Sequence, residues 1–302
     1  MMGQLEDMAM FVRIVEAGSI TKAAEQLNTA KSAVSRRLKE LEARLGSQLI
    51  NRTTRHSKLT QAGEQYYQQV NNILSSVDAL NEHISDDPKR IEGTLKMTAP
   101  LSFGIMHLTD VIDDYANLHP SLKFELDFSD RRIDLIEKGY ELAIRIGELQ
   151  DSSYQAKQLA LIRCVVCASP DYLKRKGVPE TLEDLKGHDF LQYSLGQTSN
   201  IELIDKEGEK HYHTLNAKIK ATNGEFLVDL AVKGHGITVM PTFLAYKKLA
   251  SGELQTILKQ YHLPTLSAYA VYPKNRFLSQ RCRYLIDFIA KRFGDNPYWD
   301  QF

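Results

Sequence analysis

The stretch that decides the fold of this chain runs from Ser19 to Thr60 and reads SITKAAEQLNTAKSAVSRRLKELEARLGSQLINRTTRHSKLT. It predicts two helices, over about Ile20 to Leu27 and about Lys31 to Leu45, because caps and breakers bound two helical patterns. Between them, Asn28-Thr29-Ala30 suits a short turn, since asparagine tolerates the left-handed conformation. Gly46 is a suitable residue to end the second helix. This spacing predicts a helix-turn-helix.

The second helix has two chemically different faces. Val34, Leu38, Leu41 and Leu45 fall four, three and four residues apart, so they form one apolar stripe. The opposite face carries donors of the kind that reach phosphates and base edges in a major groove. These candidate DNA contacts are Lys31, Ser32, Ser35, Arg36 and Lys39.

The residues after Leu49-Ile50 predict a hairpin with a basic tip, which would serve as a wing. Its candidate DNA contacts are Arg52, Thr53, Arg55 and Lys58. From residue 29 to residue 60 there are eight basic and two acidic residues, whereas the whole chain has 38 of each. A local basic excess on a helix-turn-helix is typical of DNA binding. A small helical domain with a solvated charged face is the alternative, but turn, stripe, donor face and wing agree.

At this point the stretch resembles the N-terminal domain of LysR-type transcriptional regulators. The residues that carry the resemblance are Phe11, Ala17-Gly18-Ser19, Ala23-Ala24, Leu27, Ser32-Ala33-Val34-Ser35, Leu41-Glu42, Leu45-Gly46, Leu49, Arg52-Thr53-Thr54-Arg55 and Leu59-Thr60-Gln61-Ala62-Gly63. The later segments resemble the effector domain of the same family, so the likeness covers nearly the whole chain. It implies a bacterial regulator that binds promoter DNA, responds to a small molecule and forms a homotetramer.

A long helix is predicted over about Gln61 to Ser85, with Thr60 as its cap. Its apolar residues alternate four and three apart, as in a heptad seam: Tyr66, Val70, Ile73, Val77, Leu80 and Ile84. The seam predicts a coiled-coil homodimer, which would present two recognition helices to a two-fold DNA site. An amphipathic helix lying on its own domain is the alternative. Asp86-Asp87-Pro88 would end the helix and form a hinge.

From Ile91 onward, strands and helices alternate, which predicts an α/β unit with a parallel sheet. A second alternating run begins at about Arg163, and the chain returns to the first lobe at its end. The expected fold class is α/β with an all-α N-terminal part and a two-lobed, periplasmic-binding-protein-like effector domain. The expected boundaries are 1–59 for the winged helix-turn-helix, 60–88 for the coiled-coil linker helix, and 89–302 for the effector domain. Within the last, lobe I covers about 89–162 and 268–302, and lobe II about 163–267.

Three strand-to-helix junctions, at 98–104, 222–225 and 236–241, are the expected walls of a ligand cleft. Each offers backbone donors at a helix start, and Arg145 adds a positive charge, so the expected effector is a small organic anion. The candidate contacts are Pro100, Leu101, Ser102, Phe103, Phe128, Arg145, Asn223 and Met240. Alternatively, Ser102 and Asn223 only cap helices, Arg145 pairs with a surface acid, and the apolar residues belong to the core.

Composition and motifs narrow the remaining function classes. The chain has 302 residues, enough for two or three domains, and three cysteines, too few for a disulfide scaffold. The N-terminus lacks signal-peptide features and no apolar run is long enough to span a bilayer, so we expect a cytoplasmic, nucleoid-associated protein with no membrane partner. We find no GxSxG, P-loop, GxGxxG after a strand or HExxH, so we expect no catalytic residues, no cofactor and no enzyme.

Cys164 and Cys167 have a CxxC spacing, which invites a redox or zinc interpretation. They lie in a predicted strand, where residues three apart face opposite sides, and we interpret them as structural thiols. His211 and His213 share a strand face, but we expect no metal site there. Two rival functions stay open: an architectural DNA-binding protein without a small-molecule ligand, and a metabolic enzyme that carries a DNA-binding appendage.

Overall fold

The computed structural model describes residues 3–52, 57–84, 91–131, 134–147, 154–195, 200–274 and 278–302. These residues fall into two compact units. The first comprises the described parts of Met1–Arg90, Ile133–Glu141 and Asn275–Arg281, and the second those of Ile91–Arg132, Leu142–Lys274 and Cys282–Phe302. Among the described helices, none combines the length and apolarity that a bilayer-spanning segment requires.

The N-terminal 84 residues form a winged helix-turn-helix followed by one long helix. The elements are α1 (Gln4–Ala17), α2 (Ile20–Gln26), α3 (Lys31–Leu45), β1 (Ile50–Arg52), β2 (Ser57–Leu59) and α4 (Gln61–Ile84). Strands β1 and β2 pair antiparallel, with Ile50 opposite Leu59. The predicted helix-turn-helix and hairpin are confirmed. Thr53 and Arg55 lie outside the described residues, as does Ser85 at the predicted end of α4.

Local capping explains why these helices begin and end where they do. The Ser19 side chain accepts a hydrogen bond from the Thr21 amide at 3.2 Å, which caps α2. Asn28 adopts φ 50°, and Gly46 adopts φ 64° directly after α3. Thr60 Oγ1 accepts from the Gly63 amide at 2.9 Å and so caps α4, as predicted. These ends are set by residues within a few positions of each other.

The buried face of α3 differs from the predicted stripe at its end. Val34, Leu38 and Leu41 are buried as predicted, but Leu45 is 41% exposed. Leu45 is the last residue of α3, so the chain turns away before any element covers it. On α1, Leu5 is likewise exposed at 45%. Helix α1 buries one face against α2 and α3 and another against α4.

The heptad seam of α4 is divided in the structure. Val70 is buried in a cluster with Met8 and Val12 of α1. Further along the same helix, Ile73 is 41% exposed and Leu80 is 40% exposed. The first part of the seam therefore packs on its own domain, while two of its later positions remain open on the surface.

A short segment of the later chain packs within the same unit as α4. Helix α7 (Leu135–Lys138) begins where Asp134 Oδ1 accepts from the Ile136 amide at 2.8 Å. The buried side chain of Asn72 in α4 donates to the Ile136 carbonyl at 3.0 Å. This hydrogen bond fixes α7 on the long helix.

The second unit contains two five-stranded sheets, and the first has the order β4-β3-β5-β14-β6. Its elements are β3 (Gly93–Ala99), α5 (Leu101–Phe103), a π-helical turn (Gly104–Leu108), α6 (Thr109–Leu118), β4 (Leu122–Phe128), β5 (Leu142–Gly147), β6 (Tyr154–Ile162), β14 (Leu266–Pro273) and α11 (Gln280–Phe293). Strand β3 is parallel to β4 and β5, as predicted, but β14 pairs antiparallel with β5 and β6. The predicted parallel unit is therefore confirmed for β3, β4 and β5, whereas β14 joins this sheet antiparallel and β6 was missed.

The second sheet has the order β11-β8-β12-β7-β13. The elements of this part are β7 (Cys164–Ala168), α8 (Pro170–Lys176), a 3-10 turn (Asp184–Gly187), β8 (Phe190–Tyr193), β9 (Asn200–Ile204), β10 (Lys210–Thr214), β11 (Ala217–Ala221), α9 (Gly224–Val232), β12 (Ile237–Pro241), α10 (Thr242–Ala250), β13 (Gln255–Thr256) and a C-terminal 3-10 turn (Tyr298–Asp300). Strands β9 and β10 pair antiparallel as a hairpin. Only Arg163 separates β6 of one sheet from β7 of the other, so the two-lobed α/β fold class is confirmed.

Candidate functional site

The outer face of α3 presents the donors that the sequence singled out. Lys31, Ser32, Arg36 and Lys39 are exposed, and Ser35 is half-buried. Arg36 lies 3.8 Å from Glu40 one turn along, with both side chains largely exposed. Such a surface ion pair contributes little stability, so Arg36 can turn towards a ligand at small cost.

Two of the basic residues in this region have a different role. Arg37 Nε donates to Asp7 Oδ1 at 2.9 Å, and Arg44 Nη2 donates to Asp7 Oδ2 at 3.1 Å. The hydrogen bond to Asp7 raises the pKa of Arg37 above its already high ordinary value. These ion pairs hold α3 on α1. The local basic excess in the sequence therefore combines exposed cations with cations that support the helix.

An acid inside the basic stretch fixes the wing. Glu42 Oε1 accepts from the amides of Leu49 and Ile50, at 2.9 Å and 3.2 Å. The start of β1 is thereby tied to the side of α3. Lys58 on β2 is exposed, and only the backbone of Arg52 is described. Sequence reasoning did not single out Glu42 as a support, although it is one of only two acids in the stretch.

The wing also depends on a close approach of backbone to backbone. A Cβ atom at Gly63 would lie 2.0 Å from the carbonyl oxygen of Leu49. Only glycine lets the first turn of α4 pack against the entry to the wing. Together, Glu42 and Gly63 make the wing and α3 one preassembled surface.

In the first sheet of the second unit, the start of α5 and the end of β4 bring polar groups together. Leu101 N donates to Asp130 Oδ1 at 3.3 Å, and Arg145 Nη1 donates to the Arg131 carbonyl at 3.1 Å. Burial raises the pKa of Asp130, although the Leu101 amide and the charge of Arg145 act in the opposite direction. Asp130 was not among the predicted contacts.

Phe128 packs against the beginning of the same helical segment. A Cβ atom at Gly104 would lie 2.4 Å from Cδ1 of Phe128. Phe103 has a different environment, because it is fully buried with its ring centroid 5.3 Å from Phe243 and 5.9 Å from Trp299. The structure thus places Phe128 against the helix start and Phe103 in an aromatic core.

On the second sheet, the start of α9 supplies the opposing polar groups. Asn223 Oδ1 accepts from the Phe226 amide at 2.8 Å, so this side chain caps the helix. Asn223 Nδ2 also donates to Ser102 Oγ at 3.4 Å, and Ser102 Oγ donates to Glu225 Oε2 at 2.9 Å. Ser102 and Asn223, two predicted contacts, are therefore brought together across the two sheets. Glu225 joins them and was missed.

Met240 and Leu244 pack against the start of α9 and fix its position. Met240 is buried, and its sulfur lies 3.7 Å from the position of a Cβ on Gly224. The same position is 2.4 Å from Leu244 Cδ1, so α9 packs closely on α10 at this point. Tyr193 at the end of β8 lies near Asp130, and burial, followed by that negative charge, raises its pKa to about 12.

A buried histidine connects the elements of the two sheets away from Ser102. His107 Nδ1 lies 2.5 Å from the Tyr298 hydroxyl, and Nε2 lies 3.2 Å from the Phe243 carbonyl. Burial lowers the pKa of His107 to about 4, so the ring is neutral. A carbonyl only accepts, so Nε2 carries the proton and Tyr298 donates to Nδ1. Sequence reasoning did not identify this residue.

The cysteine and histidine pairs occupy settings that suit structural roles. Burial raises the pKa of both Cys164 and Cys167 to about 12, which keeps the thiols protonated and unreactive. His211 Nε2 lies 2.7 Å from Asp205 Oδ2. Across the described residues, no three His, Cys, Asp or Glu side chains are grouped so that they could hold a metal ion. The polar groups around Ser102 are hydrogen-bonding groups suited to ligand recognition.

Comparison with known proteins identifies the family of both parts of the chain. Residues 88–294 match the model of the LysR substrate binding domain, and residues 5–64 match that of bacterial regulatory helix-turn-helix proteins of the lysR family. The chain is 33% identical to the HTH-type transcriptional regulator CrgA of Neisseria meningitidis, over 96% of this chain and 97% of that protein. It is 31% identical to the HTH-type transcriptional activator AaeR of Escherichia coli, over 97% and 94%.

Solved structures show the same likeness. The structure of CrgA, a LysR-type transcriptional regulator from Neisseria meningitidis, matches with a TM-score of 0.62 and 33% identity, covering 96% of this chain and 99% of that one. The full-length structure of the Vibrio cholerae virulence activator AphB matches with a TM-score of 0.59 and 25% identity, covering 95% and 99%.

Proposed function

Because this chain belongs to the family of LysR-type transcriptional regulators, we propose how its described residues divide the work of regulation. Helix α3 and the wing of each protomer bind one half of a two-fold promoter site. A small molecule bound near Ser102 and Asn223 changes that binding by favouring one arrangement of the protein over another. The observation that carries the proposal is the division of cations on α3, with Arg36 exposed and Arg37 and Arg44 bound to Asp7.

We assign two kinds of DNA contact to the two elements. Phosphate contacts from the wing residues Arg52, Thr53, Arg55 and Lys58 supply affinity without sequence information. Contacts from α3 supply register and base reading, and the residues involved are Lys31, Ser32, Ser35, Arg36 and Lys39. The support for this assignment is the exposure of the α3 face and its fixed relation to β1 through Glu42.

A homodimer formed through α4, and a homotetramer built from two such dimers, complete the proposed assembly. The apolar side chains of Ile73 and Leu80 are 41% and 40% exposed. They lie on the same helix as Val70, which is buried against α1 of its own domain. Apolar positions repeated along one helix face favour pairing with a second helix. Two protomers would then match the symmetry of a two-fold DNA site.

We propose a small organic anion as the effector. The supporting features are the helix starts at Leu101 and Gly224 and the guanidinium of Arg145. Backbone amides at a helix start favour a negative charge, and arginine binds carboxylates in two-point geometry. Binding to chromosomal DNA would place the protein in the cytoplasm, at the nucleoid.

The experiment that tests this function is recovery of genomic fragments by the purified full-length protein at near-physiological salt, followed by sequencing. We expect a few intergenic fragments that share a two-fold symmetric site. The genes beside them would indicate which metabolites to test as effectors. Uniform recovery of all fragments would instead indicate an architectural DNA-binding protein.

A further inference from the structure

The cleft near Ser102 already contains a carboxylate that belongs to the chain itself. Ser102 Oγ donates to Glu225 Oε2 at 2.9 Å, and the two residues lie 123 positions apart in the sequence. Ser102 is in α5, which follows β3 of the first sheet, and Glu225 is in α9, which precedes β12 of the second. This one hydrogen bond therefore joins the helix starts of the two lobes.

The hydroxyl of Ser102 is committed to this bond by its neighbour. A serine hydroxyl has a single proton to donate. Asn223 Nδ2 approaches Ser102 Oγ as a donor at 3.4 Å, and the Asn223 side chain is held in that orientation by its bond to the Phe226 amide. The Ser102 proton consequently goes to Glu225. A ligand carboxylate that bound Ser102 would have to take the place of Glu225.

The groups around Ser102 favour one bound carboxylate over two. The Gly104 backbone is in close contact with the Phe128 ring, and the Gly224 backbone with Leu244. A second carboxylate would also meet Asp130, which already accepts the Leu101 amide. Like charges in one partly buried site repel each other. Exchange of one carboxylate for the other is therefore favoured over shared occupancy.

Glu225 can leave Ser102 without losing a favourable setting. It is in the first turn of α9, where a negative charge is favoured by the helix dipole. Its side chain is half-buried, so rotation towards solvent restores its hydration. The bond to Ser102 thus closes the site in the absence of a ligand and opens at small cost.

We propose that Glu225 is a built-in latch, whose carboxylate occupies the position at Ser102 that the carboxylate of an effector takes when it binds. The proposal rests on the proposed function, since it identifies which group an anionic effector displaces. In the unliganded protein the latch joins the two lobes through Ser102. When an effector binds, its carboxylate replaces that of Glu225, and α9 keeps only the Asn223 hydrogen bond to Ser102 of α5.

Hydrogen exchange measured by mass spectrometry on the full-length protein tests the latch directly. The change Glu225→Ala removes the carboxylate, and we expect the amides of residues 102–108 to exchange about tenfold faster. Asp229→Ala is the matched control, because it removes one carboxylate from an exposed position on the same helix. That control is expected to exchange like the wild type in residues 102–108.

Acetate is the probe for exchange of carboxylates, since it replaces the group that Glu225→Ala removes. At tens of millimolar, acetate is expected to restore slow exchange in Glu225→Ala, whereas acetamide is not. Should Glu225→Ala fail to fold, Glu225→Gln keeps the shape and removes the charge, with an expected increase of about threefold. Wild-type exchange rates in the variants, a failure of acetate, or equal rescue by acetamide would each overturn the proposal.

The same variants separate failure of the latch from failure of the proposed function. Binding to the genomic fragments is measured in parallel with exchange. Specific binding with unaltered exchange would reject the latch alone. Faster exchange in Glu225→Ala with no preference among fragments would keep the latch and reject the regulatory role.

Discussion

The surface of α3 and the cleft around Ser102 are built on opposite principles. On α3 the functional side chains are exposed, while the residues that support them, Arg37 and Arg44, are bound to Asp7 on another face. In the cleft the functional side chains are bonded to each other, as Ser102 is to Glu225. The first surface is ready for a large, uniformly charged partner. We propose that the second opens by competition, which suits a ligand that acts as a signal.

The largest expected effect comes from truncating a buried side chain beneath the outer face of α3. Leu38→Ala is expected to reduce the free energy of unfolding of the N-terminal unit by about 2–5 kcal/mol, since Leu38 is fully buried. Leu45→Ala is the matched control on the same helix, and its 41% exposed side chain should give less than about 0.5 kcal/mol. Chemical denaturation followed by circular dichroism measures both. Equal losses would mean that the stripe extends to the end of α3.

A pH titration probes the buried histidine that joins elements of the two sheets, His107. Folding lowers the pKa of His107 to about 4 from its ordinary value of 6.5, so the unfolded chain takes up a proton first as the pH falls. The contribution of His107 to the free energy of unfolding is therefore complete above pH 6.5 and decreases between 6.5 and 4, by up to about 1.4 kcal/mol for each pH unit.

The measurement for this titration is denaturant unfolding at a series of pH values. His107→Gln should flatten the dependence in that window, whereas replacing the exposed His235 by Gln should leave it unchanged. An unchanged slope in His107→Gln would mean that another group controls the acid transition.

Two neighbouring substitutions on α3 test whether Arg36 serves DNA recognition while Arg37 supports the helix. Arg36→Ala is expected to leave stability unchanged and to reduce discrimination among DNA sites by about 1–3 kcal/mol at the affected base. Arg37→Ala is expected to reduce the free energy of unfolding by about 1 kcal/mol, because Glu6 loses its partner and Asp7 keeps only Arg44. Binding to matched and mutated sites, together with denaturation, separates the two effects. Identical behaviour of both variants would remove the distinction.

The smallest expected effect concerns the wing. Lys58→Ala should weaken binding to all sequences alike and reduce the slope of log affinity against log salt by about one. Fluorescence anisotropy over a range of salt concentrations measures that slope. Lys22→Ala on α2, an exposed cation outside the proposed contacts, is the control. A loss restricted to particular sequences would assign Lys58 to base reading instead.

Much of the N-terminal fold could be predicted because its signals are local. The residues Ser19, Asn28, Gly46 and Thr60 mark helix ends by interactions that span two to five positions. The hairpin between β9 and β10 was predictable for the same reason, since Asp205 accepts from the Glu207 and Glu209 amides in its turn. Strand β6 was missed because its alternation is weak. Strand β11 alternates but is only five residues long, and, like β6, it is held at a sheet edge by a strand that is not its neighbour in the chain.

The candidate cleft was predicted only in part. Ser102 and Asn223 were chosen as helix starts, and the structure brings them to 3.4 Å of each other. Phe103 was chosen for its apolar ring, but its position within the aromatic core follows from contacts with Phe243, Phe293 and Trp299. No periodic signal distinguishes an apolar residue of the core from one of a ligand wall.

The sequence by itself determined the helix-turn-helix, the donor face of α3 and the α/β class, because periodicity, caps and local charge are properties of neighbouring residues. The tertiary structure alone decided which cations support α3, where the seam of α4 is buried, and that Glu225 accepts the hydrogen bond of Ser102. These contacts join residues 30 to 123 positions apart, as in Arg37 with Asp7 and Ser102 with Glu225. Such pairs are selected by the packing of whole elements, which the spacing of residues along a chain does not encode.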